Sequence, residues 1–161
     1  MDKERLLQSA RGLRQPSEAA AEEYGAKWKE LAGKVTKMLV EREDIDRLIG
    51  PGNTAMMVDN HKNHGRFMES LFLSYSPARF IETILWVFRA YGAHGFRLTY
   101  WPAQLNAWLE VMHEGLTRET YLQLAPFYEW MLVEQPAFAA LSEFEPSAWE
   151  TQAHQAGSPT T

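Results

Sequence analysis

Ser76-Pro-Ala-Arg-Phe-Ile-Glu-Thr-Ile-Leu-Trp-Val-Phe-Arg-Ala-Tyr-Gly-Ala-His-Gly95 opens with a helix cap and a first-turn proline and closes on two glycines. Serine before proline is the usual signature of a helix N-terminus, and glycine shortly after the last periodic residue marks its end. Between them, Phe80, Ile81, Ile84, Leu85, Trp86, Val87, Phe88 and Tyr91 leave little polar surface. A helix that is apolar over most of its circumference has to be surrounded by other elements, so Pro77 to Gly92 is expected to lie in the middle of the fold.

Working outward, the same 3.6-residue period continues on both sides. Downstream, Tyr100-Trp101-Pro102 starts a helix carrying Leu105, Trp108, Leu109, Met112 and Leu116, and Gly115 with Thr117 marks the turn that follows. The next helix, Thr117 to about Gln135, contains Pro126 and is expected to kink there, because proline removes one backbone hydrogen bond. Gln135-Pro136 reads as a short turn, Ser147-Ala-Trp-Glu150 has the spacing of a capping box, and residues 156–161 read as a tail. Upstream, Gly50-Pro51-Gly52 is the strongest break in the chain, and Asn53 or Thr54 caps a helix running to about Tyr75. From Ser17 to Ile49, Tyr24, Trp28, Leu31, Val35, Met38, Ile45 and Leu48 recur every three or four residues, as one long helix or two joined near Gly33. Residues 1–16 hold a short, mobile first helix. No stretch alternates with a period of two, so no sheet is expected. The reading is one all-α domain over residues 1–161, a globin-like or related bundle of about six to seven helices.

An unbroken helix over residues 17–49 would be roughly 48 Å long, more than a domain of this size needs. Its apolar stripe, Trp28, Leu31, Val35 and Met38, is therefore the candidate interface of a homodimer, with Glu23–Lys27, Glu30–Lys34 and Glu43–Arg47 pairs at its rim.

Composition narrows the function classes. Hydrophobic residues make up 45% of the 161-residue chain and charged ones 23%, which is ordinary globular usage. Cysteine is absent, so disulfides, thiolate metal sites and cysteine nucleophiles are excluded. The net charge is −5, and residues 110–161 hold eight acids against the single base Arg118; no basic face is left to neutralise phosphates, so nucleic acid is not expected as a partner. The apolar stretches Phe80–Phe88 and Phe127–Val133 are far short of the ~20 residues a bilayer span requires. Met-Asp-Lys-Glu-Arg at the N-terminus lacks the apolar core of a secretory signal, so a cytoplasmic location and no membrane association are expected.

Chemistry-bearing residues concentrate in Asp59-Asn-His61-Lys-Asn-His64. Met57, His61, His64 and Met68 stack along one helical face at offsets of four, three and four. Two imidazoles at i and i+3 are able to share a transition metal, and histidine or methionine ligates haem iron. The structural alternative is a hydrogen-bonded His64 at the core edge and a solvated His61. Glu110-Val-Met-His113 matches half of a di-iron motif, but no second copy exists, so no metal ligand is assigned. His94 belongs to a turn. No phosphate loop, nucleophile elbow or Ser/His/Asp grouping is present, so no catalytic residue is assigned and the chain does not read as an enzyme. Six tryptophans, eight phenylalanines and six tyrosines suffice to line an apolar pocket. The candidate ligand-binding residues are His61, His64, Phe67, Met68, Phe88 and Tyr91.

Ser76-Pro-Ala-Arg-Phe80-Ile-Glu-Thr-Ile84, through Tyr91-Gly-Ala-His-Gly95-Phe96, to Leu105-Asn-Ala-Trp108 resembles the haem-free globin sensor domains of bacterial stressosome proteins. More broadly, the order of elements over roughly residues 20–142 resembles the globin-like fold. The resemblance implies a globin-like fold and a dimeric, non-enzymatic sensor or signalling module that binds a partner protein or a small apolar ligand, without a cofactor. The helix from Pro77 to Gly92 lacks a proximal histidine, which departs from oxygen-binding globins. The alternative reading is a haem- or metal-binding globin-like protein using His61 and His64.

Overall fold

Three hydroxyl side chains set the helix starts that the sequence spacing predicts. In the computed structural model, which describes residues 2–144, Ser17, Ser76 and Thr117 each accept a hydrogen bond from the backbone N–H three residues on, at Ala20, Arg79 and Thr120. Eight helices hold 80% of the described residues, and no strand occurs among them. They are α1 (Lys3–Ala10), α2 (Glu18–Val40), α3 (Ile45–Ile49), α4 (Thr54–Leu73), α5 (Pro77–Gly92), α6 (Tyr100–Gly115), α7 (Arg118–Val133) and α8 (Gln135–Phe144). The capping-box spacing at 147–150 and the tail at 156–161 lie outside the described residues. The result is an all-α bundle, compatible in general terms with a globin-like fold. No helix among the described residues is long and apolar enough to cross a membrane.

The long N-terminal helix is shorter than its pattern suggested. α2 has 23 residues, about 35 Å at the standard rise, and stops at Val40. The break falls at residues 41–44, where Arg42 holds Asp44 through two hydrogen bonds of 2.9 and 3.0 Å, and Gly33 sits inside the helix with open space around it. Trp28, Leu31 and Val35 are 5%, 2% and 0% exposed within one chain, and Met38 is half-buried against the same core. The stripe expected at a dimer interface is thus covered by the chain's own helices, α4 and α6 above all. α2, rather than α5, is the central helix.

Close approach of α2 and α4 depends on Gly65. A Cβ there would stand 2.4 Å from Trp28 Cε3, and the Gly65 carbonyl accepts from Tyr24 Oη at 3.2 Å. Gly65→Val is expected to destabilise by about 1–3 kcal/mol through overpacking at this crossing, as measured by urea unfolding. An unchanged midpoint would show that the two helices do not meet there.

The remaining corners are tied by polar contacts. Gly50 adopts φ 87°, a left-handed conformation that suits glycine, and brings Asn53 under the turn that follows α5. Asn53 does not cap α4 with its side chain; its Nδ2 donates to Ile49 O at 2.8 Å and His94 O at 2.7 Å. Glu23 reaches from α2 to the start of α7, accepting from Thr117 N at 2.7 Å, Thr117 Oγ1 at 2.8 Å and Thr120 Oγ1 at 2.9 Å. Burial raises the Glu23 pKa, but these hydrogen bonds and nearby Lys27 outweigh it and leave the carboxyl below its ordinary value.

Two further expectations are corrected, at α1 and at Gln135-Pro136. α1 is docked, with Leu6 and Ala10 fully buried, Arg5 paired to Glu134 at 2.6 Å and Trp130 Nε1 donating to Ser9 Oγ at 2.9 Å. α7 is not divided at Pro126 and continues as one helix, the proline lying on its exposed side where a missing donor leaves no buried carbonyl unpaired. Gln135-Pro136 begins a helix, since proline in a first turn removes only a hydrogen bond that a helix start lacks anyway.

Candidate ligand-binding cavity

α5 packs against α1 and α8 and stands off from α4 and α6. The gap is a cavity of about 290 Å³. α4 contributes Asn60, His64, Phe67 and Met68; α5 contributes Ile84, Phe88 and Tyr91; α6 contributes Trp101, Gln104 and Leu105; Met131 and Gln135 close it from α7 and α8. Five of the six candidates named from sequence, His64, Phe67, Met68, Phe88 and Tyr91, line this one space, and His61 does not. Trp86, 64% exposed on α5, stands at its rim. No Lys, Arg, Asp or Glu is among the lining residues.

His61 is fully buried, not solvated as expected from its polar neighbours. Thr36 Oγ1 is 2.7 Å from its Nδ1, and Tyr100 Oη is 3.0 Å from its Nε2. Tyr100 Oη in turn donates to Asn60 Oδ1 at 2.8 Å, and Gln104 Nε2 donates to the same oxygen at 3.2 Å. A phenol has one proton, so with Tyr100 donating to Asn60 the imidazole must donate to Tyr100 through Nε2 and accept from Thr36 at Nδ1. The chain of bonds holds His61 as the neutral ring, and burial drives its pKa down to about 4. Both nitrogens are committed within the protein, which removes His61 from metal or haem ligation.

His64 is half-buried beside the cavity. Its Nε2 is 2.8 Å from Tyr128 Oη, and its ring lies 4.9 Å from that of Trp108. Burial, with a smaller contribution from His61, brings its pKa down to about 3. The two imidazoles bond to different tyrosines, although they follow each other on one helix. Glu110 and His113 are both exposed, and among the described residues no group of three His, Asp or Glu side chains comes together as a metal site.

Haem does not fit this lining. Among the described residues His64 is the only imidazole lining the cavity and its Nε2 is taken by Tyr128, α5 offers no histidine opposite, and no cation of the described lining is available for two propionates. The chemistry the walls do offer is van der Waals contact over aromatic and aliphatic surface, with a few neutral polar groups.

Asn60 and Gln104 are the residues that sequence reading missed. A signal was present: Gln104 interrupts the stripe Trp101, Leu105, Trp108, and Asn60 falls one turn before His64 on the face that leads to Phe67. An amide inside an apolar stripe is buried, and a buried amide needs partners.

The fold and the cavity define a helical bundle with a partly open apolar pocket whose described lining carries no charge. No protein-family model matches the chain, and neither the curated proteins nor the solved structures give a match.

Proposed function

We propose that this protein is a non-enzymatic sensor or signalling module that takes a small, neutral, largely apolar molecule into the cavity between α4, α5 and α6. One observation carries the reading: a cavity of about 290 Å³, walled by aromatic and aliphatic side chains, has no charged residue in its lining. Pockets for small molecules begin near this size, at roughly 300 Å³, and combine such walls with a few polar groups. The resemblance of Ser76–Trp108 to haem-free globin sensor domains supports the same assignment. A signal would leave through a homodimer contact or a partner protein in the cytoplasm, and either would dock elsewhere than on the apolar stripe of α2.

Titration with the neutral fluorophore N-phenyl-1-naphthylamine tests this. The expected result is saturable one-site binding, weakened at least ~10-fold, about 1.4 kcal/mol, in Ile84→Trp, whose larger ring fills the space. The variant should keep the wild-type helical circular dichroism. Non-saturable binding, or equal binding by folded Ile84→Trp, would overturn the proposal. Haemin added in parallel tests the haem alternative, since a stoichiometric Soret band would replace this reading.

A further inference from the structure

The polar groups of the cavity carry a specific pattern. Asn60 and Gln104 are 3% and 2% exposed, and both line the space. Asn60 Oδ1 accepts from Tyr100 Oη and from Gln104 Nε2, so one edge of each amide is used. Asn60 Nδ2 and Gln104 Oε1 form no hydrogen bond within the protein. One donor and one acceptor, carried by buried amides that already touch, therefore have no partner within the protein, and neither atom is sealed from solvent. Exchanging nitrogen and oxygen in both amides reverses the chain through Tyr100, His61 and Thr36 and still leaves one donor and one acceptor. The complement of that pair is independent of the assignment.

We propose that the cavity selects neutral molecules with a cis-amide edge, a lactam fused or joined to an aromatic ring, whose carbonyl accepts from Asn60 and whose N–H donates to Gln104. The inference rests on the ligand-binding reading above and names its ligand class. An apolar ligand placed against these two groups would displace their water without replacing its hydrogen bonds, so a ligand that satisfies both at once is favoured over one that satisfies neither. A carboxylate would place a charge where no cation meets it. The ring of such a ligand would lie on the apolar wall, where Phe88 and Trp101 stack at 5.1 Å. A water molecule is able to bridge the two amides, but it would leave the apolar wall uncovered.

Protein-observed NMR titrations of the full chain with three probes of similar size test the inference. 2-Quinolinone carries the donor and acceptor, 1-methyl-2-quinolinone has lost the donor, and naphthalene has neither. The expected result is that 2-quinolinone binds at least ~10-fold more tightly than the other two and shifts the side-chain amide signals of Asn60 and Gln104. In Gln104→Met, which keeps the packing and leaves Asn60 Oδ1 bonded to Tyr100, the three affinities should converge. Equal affinities in the wild type would overturn the lactam inference and leave the cavity reading standing. A preference that survives in Gln104→Met would also overturn it. Failure of all three to bind would overturn both. Should Gln104→Met not fold, the wild-type ranking decides alone.

Discussion

Phe127→Ala is expected to destabilise the fold by about 3–5 kcal/mol, the range for removing a large aromatic from a closed core. Phe127 is fully buried on α7, and its ring centroid lies 5.3 Å from Phe72, 5.2 Å from Tyr75 and 6.1 Å from Phe80. It joins α4 and the α4–α5 connection through near-perpendicular ring contacts and α5 through a tilted one, which add to the burial term. It does not border the cavity, so its loss opens a new void. From the sequence alone, Ile84→Ala and Phe88→Ala are each expected to cost roughly 2–5 kcal/mol, as members of the helix that reads as central. Both face the cavity, where part of the side chain already lacks neighbours, so Ile84→Ala is expected to cost only about 1–2 kcal/mol. Urea denaturation measures both. Equal losses at Phe127 and Ile84 would mean that the space beside α5 is closed in solution.

Acidification should destabilise the protein well before its carboxylates titrate. In the unfolded chain both histidines bind a proton near pH 6.5, whereas in the fold burial lowers His61 to about 4 and His64 to about 3. The unfolded state therefore holds more protons between these values, and stability falls as pH falls. Well above pH 6.5 the rings are neutral in both states and contribute no pH dependence. A depression of this size at fully buried His61 corresponds to a loss on the order of 2–3 kcal/mol by pH 4. Glu23 acts lower on the scale, since its depressed carboxyl gives up stability only below its ordinary value of 4.5. Unfolding free energies measured from pH 7.5 to 4.5 should decline steadily through this window. A flat profile would place both imidazoles in water and contradict the bond chain from Thr36 to Asn60.

Local rules made much of the fold legible. The 3.6-residue period identified every long helix, and Ser17, Ser76 and Thr117 marked starts because a helix cap is formed by residues three apart. The glycines at 50 and 52 marked a turn for the same local reason. Features set by distant partners were not legible. His61 looks exposed beside Asp59 and Lys62, but Thr36 and Tyr100 bury it from two other helices. The end of α2 at Val40 had no glycine or proline to announce it. α5 reads as central because it is apolar all round, yet one of its faces borders the cavity and Trp86 points to solvent. Periodicity reports that a side chain is apolar and does not report whether protein, a ligand or open space lies opposite. For the same reason the candidates on α4 and α5 could be named individually, while the pairing of Asn60 with Gln104 was visible only once α4 and α6 were in place.

A crystal of the protein pressurised with xenon tests the central claim most directly. Apolar cavities that stay free of water take up xenon, whereas closed cores and polar, hydrated clefts do not. The account predicts a xenon site between α4, α5 and α6, in contact with Ile84, Phe88 and Leu105, with any ordered water confined to the end of the cavity at Asn60 and Gln104. Absence of xenon there, with α5 collapsed onto α4 and α6 or with water filling the apolar end, would contradict it.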